Sequence, residues 1–223
     1  EPRVKLLESA TNGGFARGNN QAIAEARGDY LLLLNPDTLV GESTLAYCLT
    51  FLQTHPDAGA VGPRLINQSG VMHPECKRGV PTLWHSFCRF TRLYRVAPHS
   101  AWLNGYYQGH LSPDEVQQVP VLTGAFLMMR RALYLAVGGL DERYFMYGED
   151  IDLCYTIERA GYHNYYLPTP VLHYKGESEQ AVDRVRYEEN FYGAMRLFYL
   201  KHQGRGWWSR RVTTPLVLAA ISV

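Results

Sequence analysis

A chain of 223 residues is long enough to bury one full α/β core. Its 22 Lys and Arg against 21 Asp and Glu give a net charge of +1, which excludes a partner recruited by bulk charge such as nucleic acid. The four cysteines (Cys48, Cys76, Cys88, Cys154) include no C-x-x-C pair. Neither a zinc site nor a disulfide framework is indicated, which fits a reducing cytoplasm.

Residues 4–7 form a short strand candidate, followed by a turn-rich Thr11-Asn12-Gly13-Gly14. Residues 20–27 are alanine-rich and helical, and Gly28-Asp29 stops them. The unbroken apolar run at 30–34 reads as a strand buried on both faces of a parallel sheet. Asn35-Pro36-Asp37-Thr38 ends it, an amphipathic helix follows at 43–55, and another strand at 60–66 closes on the turn Asn67-Gln68-Ser69-Gly70. Strand, helix, strand, helix, strand in this order predicts an α/β layered fold with a mostly parallel sheet and helices on both faces.

The segment 77–118 mixes Trp84, Phe87, Phe90, Tyr94 and Trp102 with Arg78, Arg89, Arg92 and Arg95, and no single period dominates it. It reads as an excursion from the sheet, part helix and part loop, whose aromatics either pack inward or serve a functional surface. A strand at 119–129 with Gly124 in its middle, a short helix at 131–137 and a helix at 149–160 follow. An extended stretch at 165–174, interrupted by proline, leads to a long helix at 183–202. The apolar run 212–223 is shorter than the roughly 20 residues that span a bilayer.

Three places carry chemistry. Asp37 lies just past the carboxyl end of a predicted strand, where open α/β sheets bind ligands, and a carboxylate there suits Mg²⁺ or Mn²⁺ bridging to phosphates; the alternative is a polar turn that caps the next helix. Glu149, Asp150 and Asp152 open a helix, more acids than capping requires. Positions 149 and 152 share a face and 150 does not, so one carboxylate can enter a cleft while the others brace it or face water. His173 precedes Tyr174-Lys175-Gly176, where Lys175 suits a diphosphate. The glycine-rich 12–20 stretch is neither a dinucleotide fingerprint nor a Walker sequence.

The stretches NGGFARGNN (12–20), LLLLNPDT (31–38), GAFLMMRR (124–131), GGLDERYFMYGEDIDLC (138–154), GYHNYYLP (161–168) and HYKGES (173–178), in this order, resemble the inverting glycosyltransferase family two, especially its bacterial rhamnosyltransferase-like members. The resemblance implies a GT-A fold, a Rossmann-like sheet beside a smaller acceptor-side sheet. It implies a hexosyltransferase that moves a sugar from a nucleotide-diphosphate donor to a hydroxyl of a cell-surface or lipid-linked glycan. Asp37 then resembles the metal-binding acid, with His173 completing the site for Mg²⁺ or Mn²⁺, and Asp150, paired with Glu149, the general base. Asn12, Phe15, Asn19, Asn35 and Lys175 fall on the donor side, and Gly124, Ala125 and Asp152 on the acceptor side. Asn35 stands where the family's D-x-D site has its first acid, and Thr156 where many relatives carry Arg. Residues 1–203 are expected to be the GT-A domain without its first strand and nucleotide-binding segment. Residues 204–223 are expected to start an apolar segment in peripheral contact with the inner face of the cell membrane. A non-catalytic truncated domain and a nucleotidyltransferase are the alternative readings.

Overall fold

The computed structural model describes residues 4–174 and 184–203, together with 214, 215 and 217. The chain divides into two compact units, one drawn from Gly28–Gly139 and Asp150–Val182, the other from Glu1–Arg27, Leu140–Glu149 and Asp183–Val223.

The first of these holds the sheet. Its strands are β1 (Tyr30–Leu34), β2 (Thr38–Leu39), β3 (Ala58–Ile66), β4 (Gln117–Gln118), β5 (Phe126–Arg130) and β6 (His163–His173). They form one sheet in the order β1-β5-β3-β6-β2, with β4 also on β6. The α/β class read from the sequence holds, and the pairing is mixed. β3 and β6 pair in parallel over the longest stretch, while β5 runs antiparallel to both β1 and β3. Consequently β1, β3 and β6 all point one way with β5 inserted against them, and the carboxyl ends of these three strands share one edge. The short β2 and β4 are antiparallel to β6 and belong to the same sheet, not to a separate smaller one, among the described residues.

Apolarity alone misjudged two strands. Among the described residues β1 pairs with β5 alone, and Leu31 and Leu33 are buried while Leu34 is 41 % exposed; a continuous apolar run did not mean burial on both faces. β3 lies between β5 and β6, and Ala58 to Pro63 are all buried. Small residues there allow close packing. The β3–β6 register slips between Pro63 and Arg64, opposite Pro168-Thr169-Pro170, because proline donates no ladder hydrogen bond. The strand expected at 119–129 begins only at Phe126. Before it, Val121 makes an isolated bridge with Arg78, and Gly124 lies in the turn that enters β5. The stretch at 4–7 is not a strand: Val4 and Leu6 are exposed and no β partner is recorded.

Helices α2 (Glu42–Thr54), α3 (Leu83–Phe90), α4 (Arg131–Ala136) and most of α5 (Glu149–Arg159) belong to the same unit. Thr82 caps α3 by accepting from His85 N. The four cysteines are free and buried, and burial pushes Cys48, Cys76 and Cys154 up to about 12, so they pack as inert apolar side chains.

The other unit carries α1 (Gly14–Glu25), which starts six residues earlier than the alanine pattern suggests, and α6 (Arg184–Phe198), which continues as a π-helical turn (Tyr199–Gln203). Gly14 has φ 84°, and a Cβ there would lie 2.1 Å from Phe145 O. Only glycine permits this approach, and it lets Phe15 N donate to Phe145 O at 3.0 Å. Asn20 Nδ2 donates to Leu140 O, and Asp141 is held by both Arg143 (2.6 Å) and Lys201 (2.8 Å). No helix among the described residues is long and apolar enough to cross a membrane.

Candidate functional site

The shared carboxyl edge of β1, β3 and β6 collects the chemistry. β1 ends at Leu34, and Asn35 N donates to Ala125 O at 2.9 Å, which ties this turn to the entry of β5. Thr38 Oγ1 donates to Asn35 O and closes the turn. Pairing of β2 with the end of β6 sets Thr38 opposite His173, and Tyr174 N donates to Asp37 O at 2.9 Å. The result is that His173 Nε2 lies 3.2 Å from Asp37 Oδ1, with both side chains nearly buried. At that distance the contact has ion-pair spacing but not hydrogen-bond alignment, and Asp37 Oδ1 is buried without a hydrogen bond. An orphaned carboxylate oxygen costs free energy unless a cation or donor completes it.

A second histidine reaches this corner. The Asn67 turn after β3, whose Oδ1 accepts from Ser69 N and Val71 N, returns the chain so that His73 N donates to Leu65 O. The His73 ring then stands edge-on to that of His173 at 5.5 Å, with Nε2 3.3 Å from His173 O. Among the described residues no group of three or more His, Cys, Asp or Glu side chains gathers with metal-ligand spacing.

The other half of the site is Asp150, in the first turn of α5. Its Oδ2 accepts from Arg78 Nη2 at 2.6 Å and from Gly124 N at 3.0 Å, and its Oδ1 accepts from Ile151 N at 2.8 Å. The ion pair is nearly dry, with side-chain exposures of 10 % for Arg78 and 13 % for Asp150. Arg78 Nη2 also donates to Leu122 O at 3.0 Å, and its backbone pairs with Val121 in both directions. Burial works against the Arg78 charge, and the carboxylate of Asp150 more than offsets it, holding the guanidinium above its ordinary value.

Of the sequence-predicted residues, Asp37 and His173 meet directly, and Asn35, Gly124, Ala125 and Asp150 form one hydrogen-bonded chain beside them. Glu149 and Asp152 are both buried, so neither faces water, and Asp150 pairs with Arg78. Thr156 turns its hydroxyl back to Asp152 O at 2.7 Å and adds nothing to the carboxylates' charge balance. Asn12, Phe15 and Asn19 belong to the other unit: Asn12 Oδ1 accepts from Gly14 N, and Asn19 Nδ2 donates to Phe15 O, so both asparagines shape the start of α1. Lys175 lies outside the described residues. Sequence reasoning missed Arg78 and His73 as members of the site. A dibasic Lys77-Arg78 looks like surface, and only the bridge to Val121 reveals that Arg78 is 8 % exposed.

This edge can hold a divalent cation at Asp37 and His173 and accept a proton at Asp150, the means of a group-transfer enzyme acting on a phosphorylated donor. Comparison with known proteins supplies the family. The sequence profile described as "Glycosyltransferase like family 2" matches residues 1–196. The N-acetylglucosaminyl-diphospho-decaprenol L-rhamnosyltransferase of Mycobacterium tuberculosis is 32 % identical over 222 residues, covering 93 % of this chain and 70 % of that protein. The chain belongs to glycosyltransferase family 2. Its fold is that of solved GT-A structures: a mannosyltransferase of Pyrobaculum calidifontis in complex with GDP-Man and Mn²⁺ (TM-score 0.54, 19 % identity, 98 % of this chain) and Staphylococcus aureus TarS 1–349 in complex with UDP-GlcNAc (TM-score 0.55, 17 % identity, 99 % of this chain). The chain spans 55 % of each of these two solved chains.

Proposed function

We propose that this domain transfers a sugar from a nucleotide-diphosphate donor to a hydroxyl of a lipid-linked glycan by a single inverting displacement, at the inner face of the cell membrane. The observation that carries the reading is the paired arrangement at one sheet edge, an under-bonded Asp37 against His173 and a fixed Asp150 beside Gly124. Neighbours of the same fold solved with UDP-GlcNAc and GDP-Man support the donor class. The lipid-linked acceptor follows from the relative named for N-acetylglucosaminyl-diphospho-decaprenol.

The residues present fit Mg²⁺ or Mn²⁺. A carboxylate oxygen lacking a hydrogen bond and an imidazole nitrogen 3.2 Å away offer two ligands, and such ions commonly take only one or two protein ligands, completed by water and substrate phosphates. When bound, the ion supplies neutralising charge to the leaving diphosphate.

Asp150 accepts the proton of the acceptor hydroxyl as that oxygen attacks the anomeric carbon. Its three donors fix the orientation of the carboxylate. Gly124 presents a bare backbone to the acceptor beside this base, and the Asn35–Ala125 hydrogen bond keeps the donor-side and acceptor-side turns in register.

The test is Asp150→Asn in the complete protein, assayed with a nucleotide-sugar panel that includes UDP-GlcNAc and GDP-mannose. The isosteric amide keeps an acceptor for Arg78, so turnover should fall by roughly 10²–10⁴-fold with donor binding retained. Unchanged turnover would move the base elsewhere.

A further inference from the structure

Between Glu75 and Asp114 the sequence holds no acidic residue, while it holds Lys77, Arg78, Arg89, Arg92 and Arg95. Lys77 and Arg78 are buried, but Arg92 and Arg95 stand exposed directly after α3. The helix itself inverts the usual burial pattern. Leu83, Phe87 and Phe90 recur at the i, i+4, i+7 spacing that lines one side of a helix, and they are 49 %, 51 % and 51 % exposed. Trp102 (66 % exposed) extends this side: its ring lies 4.5 Å from that of Trp84, which in turn lies 5.8 Å from Phe87. The Trp84 indole donates to Trp102 O, so the aromatic ridge is built, not accidental. Arg89, held by Tyr107 Oη and stacked over the Tyr106 ring, braces the ridge from behind.

An outward ridge of Leu, Phe and Trp flanked by arginines and free of acids is the composition of a helix that lies in the headgroup layer of an anionic bilayer. We infer that α3 and the Trp102 turn are a membrane-docking surface, inserting Leu83, Phe87, Phe90 and Trp102 while Arg92 and Arg95 meet anionic headgroups. This rests on the lipid-linked acceptor proposed above and deepens it. The same segment begins with Arg78, which holds Asp150, and Gly79 N donates to Tyr106 O within it. Docking therefore anchors to the bilayer the segment that holds the base.

The experiment is flotation of the complete protein with vesicles of phosphatidylcholine alone and of an equal mixture with phosphatidylglycerol. The wild type should bind the mixed vesicles, release with salt, and shift its tryptophan emission to the blue. Phe87→Ser with Trp102→Ser should weaken binding by at least about tenfold, two half-exposed aromatic rings having been withheld from the interface. Arg92→Gln with Arg95→Gln should weaken it about 25-fold, each cation near an anionic leaflet contributing about fivefold. All four positions are exposed, so both variants should retain wild-type melting and wild-type turnover on a water-soluble acceptor analogue. Variants that bind vesicles as the wild type does overturn the inference. A ridge-dependent dimer by light scattering also overturns it, since a second copy would then cover the face. If the wild type turns over no nucleotide sugar of the panel, the glycosyl-transfer reading itself falls. If the wild type turns over a donor while the ridge variants still bind, only the docking surface falls.

Discussion

Arg78→Met separates the work of the buried ion pair from that of the surrounding backbone. In the native site Arg78 Nη2 makes two hydrogen bonds, to Asp150 Oδ2 and Leu122 O, in a pair with exposures of 10 % and 13 %. Removing the guanidinium leaves the Asp150 carboxyl group in a nearly dry site with only two backbone donors, Gly124 N and Ile151 N. Breaking a buried pair in this way costs about 3–5 kcal/mol. For a chain of this size about 1 kcal/mol corresponds to 2–4 °C, so melting should fall by roughly 6–20 °C. The double variant Arg78→Met/Asp150→Leu removes both charges and should recover most of that loss, because no desolvated charge is left uncompensated. Thermal unfolding of the wild type, both single variants and the double variant completes the cycle, with a coupling of more than about 1 kcal/mol expected. A melting change below about 2 °C for Arg78→Met, or strict additivity in the double, would show that the pair is solvated in solution and that Asp150 is not held as described.

Asp37→Ala in the complete protein should abolish the stimulation of turnover by Mn²⁺ or Mg²⁺; full activity in excess chelator would end the metal assignment. Burial raises Glu158 to about 7, so between roughly pH 4 and 7 the folded protein keeps a proton that the unfolded chain releases. Stability should therefore decline as pH rises through that window and level off above it, and Glu158→Gln should remove the decline in melting measured across pH 5 to 7.5. Asp141 has the opposite sign: the Arg143 hydrogen bond, helped by Lys201, holds its carboxyl well below the usual range. Its contribution is complete above the unfolded value near pH 4 and is lost as pH falls through the depressed one, so Asp141→Asn should flatten the acid limb of unfolding.

How much was legible in the sequence follows from the range of each interaction. Helices α2, α4 and α5 and the β1 run were visible because period, caps and terminating residues lie within a few positions of each other. Asp37, Asp150 and His173 were visible as chemistry-bearing residues at the ends of predicted elements, and the ordered motifs supplied the family. The inward-or-outward question for the aromatics of 77–118 stayed open, because spacing gives a face but not its direction. Tertiary structure decided that direction, the antiparallel insertion of β5 between β1 and β3, and the exposure of Leu34 in a strand that looked buried on both faces. It alone joined residues far apart in the chain, Arg78 to Asp150 and Asp37 to His173. Local patterns record which backbone conformation a segment prefers, whereas a charge such as Arg78 becomes part of a site only when long-range pairing removes water from both partners.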